Sequence, residues 1–270
     1  MVDVTTHHNT AYPGDRTRGA AHGLPAIRPI DTGRPWTWLS AAWQDIGRAP
    51  TLSLAYGLLA VASSFILVFG LASAEMHYLV LPMAAGFMLL GPVLAVGLYE
   101  ASRLIERGER PTIGAVLGAY RRNGTQIAAI GLVLMLALLA WIRVAFLIFA
   151  IFFAAEPPAL DMLVTRIFFS AETVPFLLTG TAVGAVIATV VFAISAVSLP
   201  MLLDRDTDVF TAMATSAAAV RQNWRAMGVW AALIALFTAA GIATGFIGLA
   251  LSFPLIGHAT WHCYRDVVGR

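Results

Sequence analysis

Five stretches of the sequence contain no charged residue for twenty positions or more, and they decide what the chain can fold into. They are Ala49 to Ala74, Tyr78 to Tyr99, Asn123 to Ile142, Thr173 to Leu203 and Ala226 to Tyr264. The third continues past Arg143 as far as Ala155. A water-exposed helix needs charge along one face, and these segments have none to offer. Composition agrees: 59% of the 270 residues are apolar and only 12% are charged, against about a quarter charged in ordinary soluble domains. A soluble enzyme is thereby excluded, and a polytopic membrane protein is the expected class.

Four of the stretches are long enough for one span each. The last covers 39 residues, which as a single helix would reach about 58 Å, twice the ~30 Å hydrocarbon core. Two helices of about 20 residues turning near Thr244–Gly245 fit better. The expected total is six spans.

Arginine placement orients them. There is no lysine, and all 17 basic residues are arginine. With six spans both termini fall on one side, and 15 of the arginines fall there with them. Arg166 alone belongs to the other side, and Arg143 lies within or at the edge of span three. The positive-inside rule places both termini in the cytoplasm.

A short helical stripe precedes each odd-numbered span: Leu39, Ala42, Trp43 and Ile46; Ile113, Val116, Leu117 and Tyr120; Phe210, Met213, Ala217 and Val220. Each reads as an amphipathic helix lying along the membrane surface. Pro111 suits the first turn of the second, and Asp208 the N-cap of the third. The even-numbered spans each carry a proline near the cytoplasmic end, Pro92, Pro200 and Pro254, where helix breaks are expected. The fold class expected is therefore an all-α bundle of six transmembrane and three interfacial helices, in three tandem helical-hairpin repeats. Residues 36–268 form this membrane domain. Met1 to Pro35, rich in Gly, Pro, Arg, Thr and His, reads as a disordered cytoplasmic tail with no secretory signal.

Few residues carry chemistry. His258 and His262 lie four apart, so a helix presents both imidazoles on one face, the spacing of a bidentate metal site. A third ligand would have to come from Glu100 or Asp204. The flanking residues contain no HExxH pattern, which excludes a zinc protease. Arg143 falls close to the outer surface, as an anchor that snorkels or pairs with Glu156 or Glu172, or as an anion or substrate contact. The Gly180/Gly184 and Gly241/Gly245 pairs suggest close helix packing, and Gly114/Gly118 a flat docking face. Asp204 to Asp208 lacks the glycine and final glutamate of a calcium loop. Net charge of only +2 argues against nucleic acid as a partner. One cysteine, Cys263, excludes a disulfide framework.

Two strings resemble a known family. Ser195-Ala-Val-Ser-Leu-Pro-Met-Leu-Leu-Asp-Arg-Asp206 and Pro254-Leu-Ile-Gly-His-Ala-Thr-Trp-His-Cys-Tyr-Arg265 resemble bacterial integral membrane proteins catalogued as domain of unknown function 2189. Gly91-Pro92 to Glu100 and Trp43-Gln44-Asp45 match its style, and the resemblance runs from Trp36 to Val268. It implies a bacterial inner-membrane protein and brings no activity, substrate or cofactor. Some members carry a label likening them to a cytochrome oxidase subunit, but the histidines such a protein needs in several separate helices are missing here.

Three functions follow as expectations. The first is a non-enzymatic membrane protein without a cofactor, either a carrier of a small or lipidic solute or an accessory subunit; its partners would be the bilayer, another membrane protein or a second copy. The second is a metal- or haem-binding redox protein using His258 and His262. The third is a lipid-modifying enzyme with Glu100, Asp204 and His258 gathered at the cytoplasmic face.

Overall fold

The computed structural model describes residues 24–76, 79–153 and 173–269. These residues are all-helical, with no strand among them. The helices are α1 (Arg34–Arg48), α2 (Pro50–Ser73), α3 (Val80–Leu94), α4 (Val96–Glu106), α5 (Ile113–Gly118), α6 (Gly124–Phe153), α7 (Thr173–Ser195), α8 (Ser198–Asp204), α9 (Val209–Gln222), α10 (Trp224–Ala243) and α11 (Leu249–Val267). Four helical segments are long and apolar enough to cross a membrane: Pro50–Ser73, Gly124–Phe153, Thr173–Asp204 and Trp224–Ala243.

Proline starts the first two helices. Pro35 occupies the first turn of α1 and Pro50 that of α2, positions where no helical N–H is lost. The last long apolar run does divide into two helices. α10 stops at Ala243, Gly245 adopts a positive φ of 65°, and α11 begins at Leu249. Only glycine takes that backbone readily.

Two further breaks interrupt the returning helices. α3 ends at Leu94 and α4 resumes at Val96; α7 ends at Ser195 and α8 resumes at Ser198. Pro92 lies inside α3, three residues ahead of the first break, and Pro200 lies in the opening turn of α8. Pro254 lies inside α11, which continues through it. A break in an apolar setting must satisfy the backbone groups it frees. At the first, the Tyr120 hydroxyl donates to the carbonyls of Val93 and Leu94 at 3.2 and 3.1 Å. At the second, the Val197 amide donates to Ser216 Oγ at 3.3 Å, and the Ser198 hydroxyl donates to the Ala212 carbonyl at 3.2 Å.

The core lies at the end where α1, α4, α8, α9 and the C-terminal half of α11 meet. Trp38, Trp230, Trp261, Tyr99 and Tyr264 are fully buried there. Trp38 meets Trp230 edge-on at 5.7 Å. α11 is the central helix, packed on α1, α2, α4 and α10. Glycines allow these close approaches. A Cβ at Gly57 would run into the Ala250 backbone, one at Gly97 into Tyr56, and one at Gly257 into Leu98. Of the GxxxG pairs, Gly184 faces Trp141 and Gly241 faces Leu249 and Ser252, whereas Gly180 has open space around it and Gly245 lies in the turn after α10.

The short helices α1, α5 and α9 have buried faces rotated from the apolar stripes. α1 buries Pro35, Trp38, Leu39, Ala42 and Asp45, and leaves Trp43 56% exposed. α9 buries Val209, Ala212, Thr215, Ser216 and Ala219, and leaves Phe210 78% exposed. α5 is only six residues long, with Ile113 71% exposed. Its cap is Thr112, whose hydroxyl accepts from the Ala115 amide at 3.2 Å, so Pro111 precedes the helix. Asp208 caps α9 as expected, accepting from the Thr211 amide at 2.9 Å; this bond and that of the Thr211 hydroxyl hold its carboxyl below the usual range.

Residues 1–23 of the expected tail lie outside the described residues. Residues 24–31 carry no regular structure and run along the packed end, and residues 32–33 turn into α1. The Arg28 amide donates to the Val267 carbonyl at 2.8 Å, and the Asn223 side chain bridges the Ile30 amide and the Arg28 carbonyl at 2.9 and 3.0 Å. Arg34 then makes a two-pronged pair with Asp266 at 2.6 and 2.7 Å, which also accepts from the Trp38 indole at 2.9 Å.

Candidate functional site

A layer of buried polar side chains crosses the packed end of the molecule. Four elements supply it. Asp45 comes from the last turn of α1, Ser53 from the first turn of α2, Ser102 from α4, and His258 from α11. Asp45, Ser53, Ser102 and His258 are all buried. A buried polar group without a partner is costly, so each must find one here.

They find one another. His258 Nε2 stands 3.0 Å from Ser53 Oγ, and Nδ1 stands 2.7 Å from Ser102 Oγ. The Ser102 hydroxyl donates to Asp45 Oδ2 at 2.7 Å. The same carboxylate oxygen lies 2.8 Å from Nε2 of His262. Arg48 approaches the other oxygen at 4.0 Å. Asp45 thus joins the two histidines, one directly and one through a serine.

Proton counting gives the chain a direction. A serine hydroxyl has one proton. Because Ser102 gives its proton to Asp45, its oxygen accepts from Nδ1–H of His258. Ser53 has two acceptors in reach, His258 Nε2 and the Ala49 carbonyl at 2.9 Å. With a neutral ring the Ser53 proton serves Nε2; with an imidazolium Nε2–H donates to Ser53, whose proton turns to Ala49. Both ring states are satisfied without moving a heavy atom.

The other expected site residues lie apart from this layer. Glu100 is buried and paired with Arg103 through two bonds of 2.7 Å, with Arg122 at 3.7 Å. Asp204 accepts from the Tyr264 hydroxyl at 2.9 Å and from Arg265 at 3.3 Å. No hydrogen bond joins any two of Glu100, Asp204 and His258 among the described residues. His258 has both ring nitrogens engaged by serines, and neither Glu100 nor Asp204 is brought to the histidines. No group of three or more His, Cys, Asp or Glu able to hold a metal ion occurs among the described residues. Arg143 is exposed on α6 and pairs with no side chain among the described residues; Glu156 and Glu172, its expected partners, lie outside them.

Asp45, Ser53 and Ser102 were not singled out by the sequence. The signal was present for Asp45: Pro35, Trp38, Leu39, Ala42 and Asp45 follow helical spacing, and an acid on that stripe must be buried with a partner. Nothing local marks the two serines, since small hydroxyl residues are common in apolar helices.

Among the apolar helices, a cavity between α2, α3, α10 and the start of α11 has a volume of about 20 Å3 and an apolar lining that includes Leu67, Met83, Ile242 and Phe246. That is room for about one water. The most apolar windows of α2 and α6 are only 17% buried within the chain, so both helices keep long open faces.

Residues 80–204 match the family model described as Predicted integral membrane protein, domain of unknown function 2189. The family read from the sequence is the family matched. The segment takes in the Gly91 to Glu100 string and most of the Ser195 to Asp206 string; the C-terminal string Pro254 to Arg265 lies beyond it. No curated protein and no solved structure matches the chain.

Proposed function

We propose that this chain, which carries a family segment of predicted integral membrane proteins, is a non-enzymatic accessory subunit of a bacterial inner-membrane complex. It crosses the membrane six times, with both termini in the cytoplasm. The observation that carries the non-enzymatic reading is that His258, Glu100 and Asp204 are each engaged by their neighbours. His258 spends both nitrogens on serines, Glu100 is clamped by Arg103, and Asp204 is held by Tyr264 and Arg265. Groups held this way specify a packing arrangement, and none is left to bind a metal or attack a substrate.

The path of the chain supports six passages. α3 with α4, and α11, return from the far end to the arginine-bearing end, as α7 with α8 does. The repeat also has support. The order of short helix, long span and return occurs three times, and Arg103 and Arg265 each stand eleven residues after a proline, Pro92 and Pro254. At both broken returns the freed backbone is satisfied from the next short segment, by Tyr120 and by Ser216. The rotated faces of α1, α5 and α9 suit membrane-surface helices, with Trp43, Ile113 and Phe210 turned to lipid.

Between carrier and subunit, the geometry favours the subunit. The intramembrane cavity holds about one water, and α2 and α6 offer open apolar faces to lipid or another chain. Native mass spectrometry in mild detergent tests this, beside a His258→Ala/His262→Ala double variant. The expected result is a chain free of metal and haem that retains another membrane subunit. A metal or haem lost in the double variant establishes the redox reading instead. Solute flux in vesicles containing only this chain establishes the carrier.

A further inference from the structure

At the arginine-bearing end, α4, the end of α8 and α11 line a half-open cavity of about 360 Å3. This is within the size range of small-ligand sites. Its wall holds four arginines, Arg103, Arg107, Arg205 and Arg265, against two carboxylates, Glu106 and Asp204. The formal sum over these six side chains is +2, and +1 once Glu100, the partner of Arg103, is counted.

Donor accounting shows where the excess lies. Each nitrogen of Arg265 has a partner, with Nε and NH2 on Glu106 and NH1 on Asp204. The carboxylates are well supplied: Glu106 also accepts from the Trp261 indole at 3.1 Å, and Asp204 from Tyr264. Arg103 uses Nε and NH2 on Glu100 and keeps NH1. Arg205 uses Nε on the Tyr264 hydroxyl and NH2 on the carbonyls of Val268 and Gly269, and also keeps NH1. Arg107 has no side-chain partner among the described residues. Three guanidinium groups therefore bring unused N–H donors to one cavity, and two of them are fixed in place by their other bonds.

We propose that this cavity binds a phosphate group, carried either by an anionic lipid headgroup or by a soluble phosphate compound. Guanidinium forks match the geometry of phosphate oxygens, and a phosphate supplies the negative charge that the wall lacks. Basic pockets between helices at the membrane surface are suited to anionic headgroups. The site does not use the Asp45–Ser102–His258 layer; it shares Arg103, Asp204 and Arg265 with the pairs that support the subunit reading, and binds through donors those pairs leave unused.

The test uses the full chain in nanodiscs and in detergent. Arg107→Gln removes unused donors without breaking any pair, and Arg110→Gln, an exposed arginine outside the wall, controls for general surface charge. Two probes separate the sources: phosphatidylglycerol against phosphatidylcholine by native mass spectrometry, and inorganic pyrophosphate by calorimetry. The expected result is selective binding of one probe that weakens about tenfold in Arg107→Gln, as for loss of one charge-assisted contact, and holds in Arg110→Gln. Lipid retention assigns a headgroup, and pyrophosphate binding assigns a soluble compound. Binding of neither probe, or equal losses in both variants, overturns the proposal.

Discussion

Ser53 and His258 stand 205 positions apart in the chain, and the Ser53 hydroxyl lies 3.0 Å from Nε2 of His258. That contact closes α2 onto α11. With Ser102 on the opposite ring nitrogen, it makes one imidazole the junction of α2, α4 and α11.

Removing this junction should be costly. His258→Ala deletes a fully buried ring, leaves a cavity, and takes a partner from two buried hydroxyls. A loss of about 2–4 kcal/mol is expected from these terms together. His258→Asn, which keeps hydrogen-bonding capacity, should lose less. Thermal unfolding in detergent measures both. An unchanged midpoint in His258→Ala would show that the layer does not hold the helices.

The Glu100–Arg103 pair should behave differently when broken and when replaced. Glu100→Gln leaves a buried guanidinium without its counter-charge and should cost about 3–5 kcal/mol. The double change Glu100→Leu with Arg103→Met removes both charges and should recover most of that loss. Denaturant titration of the two variants provides the comparison. Equal losses in both would mean that the charges contribute nothing beyond their volume.

Close approach at Gly57 gives a sharper contrast. A methyl group there meets the Ala250 backbone, whereas one at Gly70 on the same helix meets nothing within 4 Å. Gly57→Ala should therefore destabilise by about 1–3 kcal/mol through overpacking, and Gly70→Ala should be neutral or slightly stabilising. Comparable folded yields for Gly57→Ala and wild type would argue against the α2–α11 contact.

Much of this architecture was legible in the sequence because charge is scarce. The long uncharged runs marked the apolar helices, and the length of the last run required the turn that Gly245 makes. The faces were less legible. In water, apolar residues mark the core; beside lipid they mark the outside as well. Trp43 and Phe210 belonged to the apolar stripes and are exposed, while Asp45, Thr215 and Ser216 are buried. The site was half seen. His258 and His262 stood out by spacing and chemistry, but Asp45, which joins them, lies on a different helix 217 positions from His262. The serines that engage His258 are 205 and 156 positions away, and no local pattern brings them together.

Cysteine accessibility in intact cells tests the central claim, six passages with both termini inside. The single native cysteine, Cys263, is buried and gives little background. Ala74→Cys, Val174→Cys and Ile247→Cys report on the far ends of α2, α7 and the α10–α11 turn. Ser40→Cys, Arg110→Cys and Arg221→Cys report on the arginine-bearing end. The account predicts that a membrane-impermeant maleimide labels the first three from outside, and the second three only after the membrane is opened. Labelling of Ser40→Cys in intact cells, or protection of Ile247→Cys until lysis, would contradict it.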